Sequence, residues 1–281
     1  MYTFHVWGIR RSGNHAIIGW ILKHNGTPSI HFNDVQDPRN PLTAGGVSVA
    51  DVPAWRYKRG VLRKIRHYLR ASNQAMFAGS DPSVDYEGLA TLPWLRCRVF
   101  SYEDRRVTQP DLASKLAMPG EICTTVVVLR DPFNLFASLL RTGWGNVRLE
   151  ELPAMYVSHA REFLHQEDRG FVGINYNEWF QDASYRISSA RRLGFETDGL
   201  PHDDVPWNGG GSSFSGQHYR GQASQMDVFG RWRHVADQQQ FRRLVEAPQV
   251  RAAAEAIFPA LSSEVYRTLS DRHPMRFVAG R

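Results

Sequence analysis

YTFHVWGIRRSGNHAIIGWIL, residues 2–22, joins a β-type run over residues 2–9 to a helical apolar run through a turn bounded by Gly8 and Gly13. The two glycines have the G-x-x-x-x-G spacing of a phosphate-cradling loop, but Asn14 and His15 stand where a Walker loop has Lys followed by Ser or Thr. The Walker lysine reaches the β- and γ-phosphates and the hydroxyl holds Mg²⁺. A loop lacking both is poorly suited to metal-dependent ATP chemistry but can still hold an anion. Arg10 and Arg11 keep positive charge in the turn, and a helix beginning near Asn14 offers unpaired N–H groups and the positive end of its dipole. An anion other than a nucleoside triphosphate is indicated. Alone, the same residues also read as a plain strand-to-helix turn with two solvated arginines.

A second stretch of the same kind lies about a hundred residues on. CTTVVVL, residues 123–129, is the continuous β-branched run of a parallel strand covered on both faces, and it ends in Arg130-Asp131-Pro132. Asp131 suits a helix cap and Pro132 the first helical position. Phe133, Phe136, Ala137 and Leu140 then recur at helical spacing, so this helix packs on a sheet. Ser138 follows Arg130 by eight residues.

These two stretches resemble the sulfotransferases that use 3′-phosphoadenosine-5′-phosphosulfate (PAPS). The first loop of that family reads roughly P-K-S-G-[TN]-[TH], matched by Arg10-Arg11-Ser12-Gly13-Asn14-His15 with Arg11 in the lysine position. The second signature, R-x-P-x-x-x-x-x-S after a buried strand, is matched by Arg130, Pro132 and Ser138. A third match is Ile174-Asn175-Tyr176-Asn177-Glu178, like the family's strand-end tyrosine segment. The resemblance covers nearly the whole chain, loosely over residues 37–95 and the C-terminal third.

The resemblance implies an α/β fold: a three-layer sandwich with a central parallel sheet, P-loop-NTPase-like, in one domain over 1–281 with a variable acceptor-side segment at about 37–95. It implies a donor site in which Arg11 stabilises the 5′-phosphate and bridging oxygen. Backbone groups of residues 12–17, with Arg10, Ser12, Gly13, Asn14, His15 and Ala16 in the cradle, hold the phosphosulfate. Arg130 and Ser138 hold the 3′-phosphate, and Tyr176 supports the adenine. A strand-ending tyrosine also reads as packed core.

Residues 99–104, VFSYED, end a strand between the phosphate motifs, and Glu103 aligns with the family's catalytic histidine. Glu103 or Asp104 also suits a cap or a pair with Arg105 or Arg106, and His15 and Asp34 remain alternative bases. The glycine-rich residues 209–216 contain no G-x-S-x-G elbow. With Arg220, Arg231 and Arg233 beyond them, they read either as a turn or as a lid that brings Ser212, Ser213 and Phe214 to the donor.

Length and a 42% apolar content suffice for one large core, with no low-complexity linker. The periodicity predicts strands near 2–9, 28–33, 74–79, 97–102, 123–129 and 171–176. It predicts helices near 14–24, 58–70, 132–142, 150–166, 177–193, 237–246 and 258–270, with Phe180, Ala183, Ile187 and Ala190 on one face of the fifth. Residues 56–70 hold seven of the 34 Lys and Arg and no acid, so the net charge of +6 resides there. They read as an amphipathic helix with a solvated basic side, or as a contact for an acidic acceptor, a nucleic acid or an anionic membrane surface. No zinc spacing or nucleic-acid motif accompanies them.

Cys97 and Cys123 lack C-x-x-C spacing and read as buried thiols of a reduced, cytoplasmic protein. No leader or membrane-length apolar run is legible. The expected function is transfer of a sulfuryl group from PAPS to a carbohydrate, phenol or lipid hydroxyl, with adenosine 3′,5′-bisphosphate as product and no metal required. An atypical P-loop kinase and a catalytically silent nucleotide-binding module are the alternatives.

Overall fold

The computed structural model describes residues 1–26, 28–45, 47–51, 74–78, 86–108, 116, 118–142, 149–196, 214, 219 and 222–272. The chain begins with β1 (Tyr2–Gly8) and α1 (Asn14–Asn25), followed by β2 (Ser29–Phe32), β3 (Val35–Asp37), β4 (Asn40–Ala44), β5 (Val47–Asp51) and β6 (Gln74–Ala78). After α2 (Tyr86–Ala90) come β7 (Cys97–Glu103), β8 (Ile122–Leu129), α3 (Pro132–Thr142), α4 (Leu152–Leu164), α5 (Gln166–Arg169) and β9 (Val172–Asn175). The remainder is helical: α6 (Tyr176–Gln181), α7 (Ala183–Arg192), α8 (Gln239–Val245), α9 (Pro248–Ile257) and α10 (Pro259–Arg272), with 3-10 turns at Ala223–Gln225 and Arg231–His234.

The main sheet has the order β6-β5-β2-β7-β1-β8-β9, and β3 and β4 form a separate hairpin. Strands β2, β7, β1, β8 and β9 are mutually parallel, while β5 and β6 continue the sheet antiparallel at one edge. The parallel strands are apolar because both their faces are covered. Phe4 and Val6 of β1 join Val99, Val126 and Val128 under Ile17, Ile18 and Ile21 of α1 and Trp179 of α6. On the opposite face Trp7 stacks on Tyr102 at 4.0 Å, and Leu129 meets the α3, α4 and α8–α10 layer.

This topology fixes where a ligand belongs. The chain leaves β1 for β2 on one side, while β8 lies on the other, so the carboxyl end of β1 is the point where crossovers diverge. The β1–α1 turn lies there, with the ends of β7 and β8 beside it.

The far edge is closed by side chains. On β9, the Gly173 N–H donates to Gln166 Oε1 at 2.7 Å, the Gly173 carbonyl accepts from Arg192 at 3.2 Å, and the Asn175 N–H donates to the Tyr185 hydroxyl at 2.8 Å. An exposed strand edge is otherwise a template for pairing with another chain.

Several expectations are corrected. The helix expected over 177–193 is two helices, broken at Asp182, whose carboxylate accepts the Ser184 N–H. Ala183 is exposed, so the expected face is not continuous. Tyr176 opens α6 instead of ending a strand. Cys123 is exposed at the start of β8, and both cysteines are free. Strands β3–β5 and helices α2 and α9 had no counterpart in the sequence reading, and the basic segment 56–70 lies outside the described residues. No described helix is long and apolar enough to cross a membrane.

Candidate functional site

The β1–α1 turn folds as a cradle. Gly13 adopts φ 90°, a left-handed conformation that glycine takes without a Cβ penalty, and it precedes α1 without a side-chain cap. The Ser12, Ala16 and Ile17 N–H groups are used within the turn and first helical loop. Among the described residues the Gly13, Asn14 and His15 N–H groups have no backbone acceptor and form the positive end of α1, a narrower donor set than the expected residues 12–17. Ser12 and Asn14 are buried, Ala16 half-buried against the core below α1. Asn14 lies back over Gly8, its Oδ1 only 2.1 Å from where a Gly8 Cβ would stand. Both glycines of the spacing are therefore demanded sterically.

The second motif converges on the first. Asp131 caps α3 by accepting the Asn134 N–H at 2.7 Å, and Asn177 holds its other oxygen at 2.9 Å, which ties the ends of β8 and β9 together. Arg130 is 3% exposed; it donates to the Arg11 carbonyl at 3.2 Å and to the Val228 carbonyl, and lies 5.2 Å over the Tyr176 ring. That ring packs directly on Gly13, 2.1 Å from where a Cβ would stand.

Ser138, fully buried, donates to the Asn134 carbonyl and accepts from Arg231 at 3.0 Å. Arg231 is a residue whose place the sequence reading missed: it is 6% exposed and reaches Ser138 across 93 residues. Burial, and then the nearby charge of Arg130, push its guanidinium down to about 9. Phe214 covers this cluster, with Arg231 at 5.3 Å and Arg141 at 4.5 Å from its ring centre. Ser212 and Ser213 lie outside the described residues.

Arg10 does not face this cluster. It donates to Glu103 Oε2 at 3.1 Å and Asp34 Oδ2 at 3.4 Å, and its backbone N–H donates to Asp104 Oδ1 at 2.8 Å. Glu103 stands beside Gly8 in the β1–β7 register and also accepts from Asn14 Nδ2 at 3.3 Å. His15 Nδ1 is 3.9 Å from Glu103 Oε1, and its ring meets the buried His31 edge-on. All three proposed bases, Glu103, His15 and Asp34, are thus gathered on one side of the turn. The alternative pairing of Glu103 or Asp104 with Arg105 is not the one formed: both carboxylates take Arg10, and Arg105 binds the Val35 carbonyl and Gln36. Among the described residues no group of His, Cys, Asp and Glu is arranged to hold a metal ion.

Burial raises the Asp34 carboxyl above its usual range, aided by Glu103 and opposed by Arg10. Burial also carries Asp104 up to about 6, against the hydrogen bond and charge of Arg10. Arg11, at φ 71°, is lowered by burial first, with Glu103 acting in the opposite direction. The arrangement therefore has two sides: a dry cationic one at Arg130 and Arg231, and a carboxylate one at Glu103.

The chain matches no model of a known protein family, no curated protein and no solved structure.

Proposed function

We propose that the protein is a PAPS-dependent sulfotransferase acting on a hydroxyl acceptor. The observation that carries this reading is the meeting of the two phosphate motifs: Arg130, at the end of β8, bonds the Arg11 carbonyl in the β1–α1 turn. A ligand with anionic groups at two separated points fits such a pair of loops better than a single phosphate. The residues suit a bisphosphate, since Arg130 and Arg231 are buried cations close enough for one to depress the other, and an anion relieves that repulsion.

In this reading the Gly13, Asn14 and His15 N–H groups and Arg11 hold the 5′-phosphate side, Arg130, Arg231 and Ser138 the 3′-phosphate, and Tyr176 and Phe214 flank the nucleoside. The acceptor oxygen attacks sulfur, the S–O bond to the 5′-phosphate breaks with its electron pair going to the phosphate oxygen, and the hydroxyl proton passes to Glu103. Arg11 stabilises the charge on that oxygen and remains a cation throughout, so it is not the general acid. Two free cysteines, one buried, favour the cytoplasm as the compartment.

The test is turnover of sulfur-labelled PAPS against a panel of carbohydrate, phenol and lipid hydroxyls in the presence of EDTA. Labelled acceptor and stoichiometric bisphosphate are expected. A strict dependence on Mg²⁺ with ATP as the donor would make the protein a kinase instead, and bisphosphate binding without turnover on any acceptor would make it a nucleotide-binding module.

A further inference from the structure

Arg10 lies at the centre of a network that phosphate binding alone does not explain. Besides its bonds to Glu103 and Asp34, its Nε lies 3.4 Å from Asp104 Oδ2. The other charged or titratable groups facing the network are His15 beside Glu103, Arg11 next in the turn, and Arg105, whose pull on Asp34 is electrostatic only. His31 lies behind His15, held neutral by burial. One guanidinium among three carboxylates cannot neutralise them all, so they compete for one cation and for protons. The non-glycine residues with positive φ among those described are Arg11, Asp34 and Asp104, at 71°, 53° and 55°, and all three border this network. Backbone held in that region persists only where the surroundings impose it.

The geometry lets the guanidinium leave without moving the chain. The Arg10 backbone is pinned by its N–H to Asp104, the side chain is 16% exposed, and its bond to Asp34 is long.

We propose that Arg10 is a two-position switch: Glu103, Asp34 and Asp104 hold it while the turn is empty, and a phosphate in the turn draws it away. Glu103 then becomes available for the acceptor proton, and the carboxylate cluster takes up a proton in place of the departed cation. Arg10 is thus a positioning residue that makes the base answer to the donor. The inference rests on the anion site proposed above.

Calorimetric titration with adenosine 3′,5′-bisphosphate at pH 6, in buffers of different ionisation enthalpy, measures the linked protons. The nucleotide's own phosphates titrate in this range, so the informative quantity is the difference between wild type and Asp104→Asn. The wild type should take up more, by as much as about half a proton, because a group half-protonated in the free protein is driven towards full protonation. Asp104→Asn should also bind the bisphosphate several-fold more tightly, as its arginine is held less firmly.

In an Arg10→Gln background that gain should vanish, whereas simple repulsion between a carboxylate and the nucleotide would persist there. If Arg10→Gln does not fold, Arg10→Lys replaces it, since an ammonium cannot bridge all three carboxylates and the gain should shrink. Equal proton uptake in wild type and Asp104→Asn, or a gain undiminished by the Arg10 substitution, overturns the switch. Should the bisphosphate not bind, inorganic pyrophosphate is the probe: linked uptake with it keeps the switch and removes the nucleotide reading. Failure of both anions to bind removes both.

Discussion

Arg231 is the residue that best separates anion binding from folding. Its charge is buried beside Arg130, which is held by the Arg11 and Val228 carbonyls, and Ser138 is already bonded to the Asn134 carbonyl, so neither takes its place from Arg231. Arg231→Gln should weaken adenosine 3′,5′-bisphosphate binding by about 10- to 150-fold, the value of a hydrogen bond to a charged group. The unfolding free energy of the unliganded protein in urea should stay within about 1 kcal/mol of wild type, because one of two like buried charges has gone. A large loss of stability with unchanged nucleotide affinity would reassign Arg231 to structure.

Residue identity showed the two strand-to-helix turns well, because Gly8, Gly13, Asp131 and Pro132 act through local spacing. It showed Arg10 poorly. Its partners include residues 24, 93 and 94 positions away at different strand ends, so adjacency in the sequence pointed to solvent or phosphate instead. The same holds for Arg231, whose partner Ser138 is brought to it only by the packing of a late 3-10 turn on α3.

At the scale of elements, the parallel strands were legible because burial on both faces leaves an apolar run that nothing else in the chain imitates. The break at Asp182 was not, since the apolar spacing of Phe180, Ile187 and Ala190 continues across it and only the cap shows the interruption. The short β3, β4 and β5 segments carry too few residues for a period to register. The closed edge of β9 yields a prediction. Tyr185→Phe removes the acceptor of the Asn175 N–H, next to the residue that opens α6. Leaving that group unpaired should cost about 1–3 kcal/mol in urea unfolding. Tyr185→Phe should also aggregate more readily on mild heating, since part of the edge is uncovered; a variant as stable and as soluble as wild type would show that this edge needs no cover.

For the whole molecule, buried histidines set the acid limit of stability. Burial drives His159 down to about 4 and His5 to about 3, and holds His31 well below its usual value. These groups are neutral in the folded chain and protonate in the unfolded chain below about pH 6.5, so the unfolded state binds more protons and stability falls as the pH drops from 6.5 towards 4. Asp104, raised to about 6, acts the other way, lending stability below its unfolded value that fades as the pH rises to 6. Asp34 and Glu178 are raised as well and act with Asp104, while His24 is lowered and acts with the other histidines, so four histidines oppose three carboxyls and the melting temperature should fall on acidification. His159→Leu should lessen the slope by up to about 1.4 kcal/mol per pH unit across that window. Identical pH profiles for wild type and His159→Leu would mean that His159 titrates alike in both states.

The central claim is that the turn after β1 and the motif after β8 make one site for a nucleotide phosphorylated at both 3′ and 5′. Its most direct measurement is the shift in melting temperature with adenosine 3′,5′-bisphosphate and with AMP, both in EDTA. A clear upward shift with the bisphosphate and a much smaller one with AMP is the predicted result. Equal shifts, or a shift that appears only when Mg²⁺ is added, would contradict it.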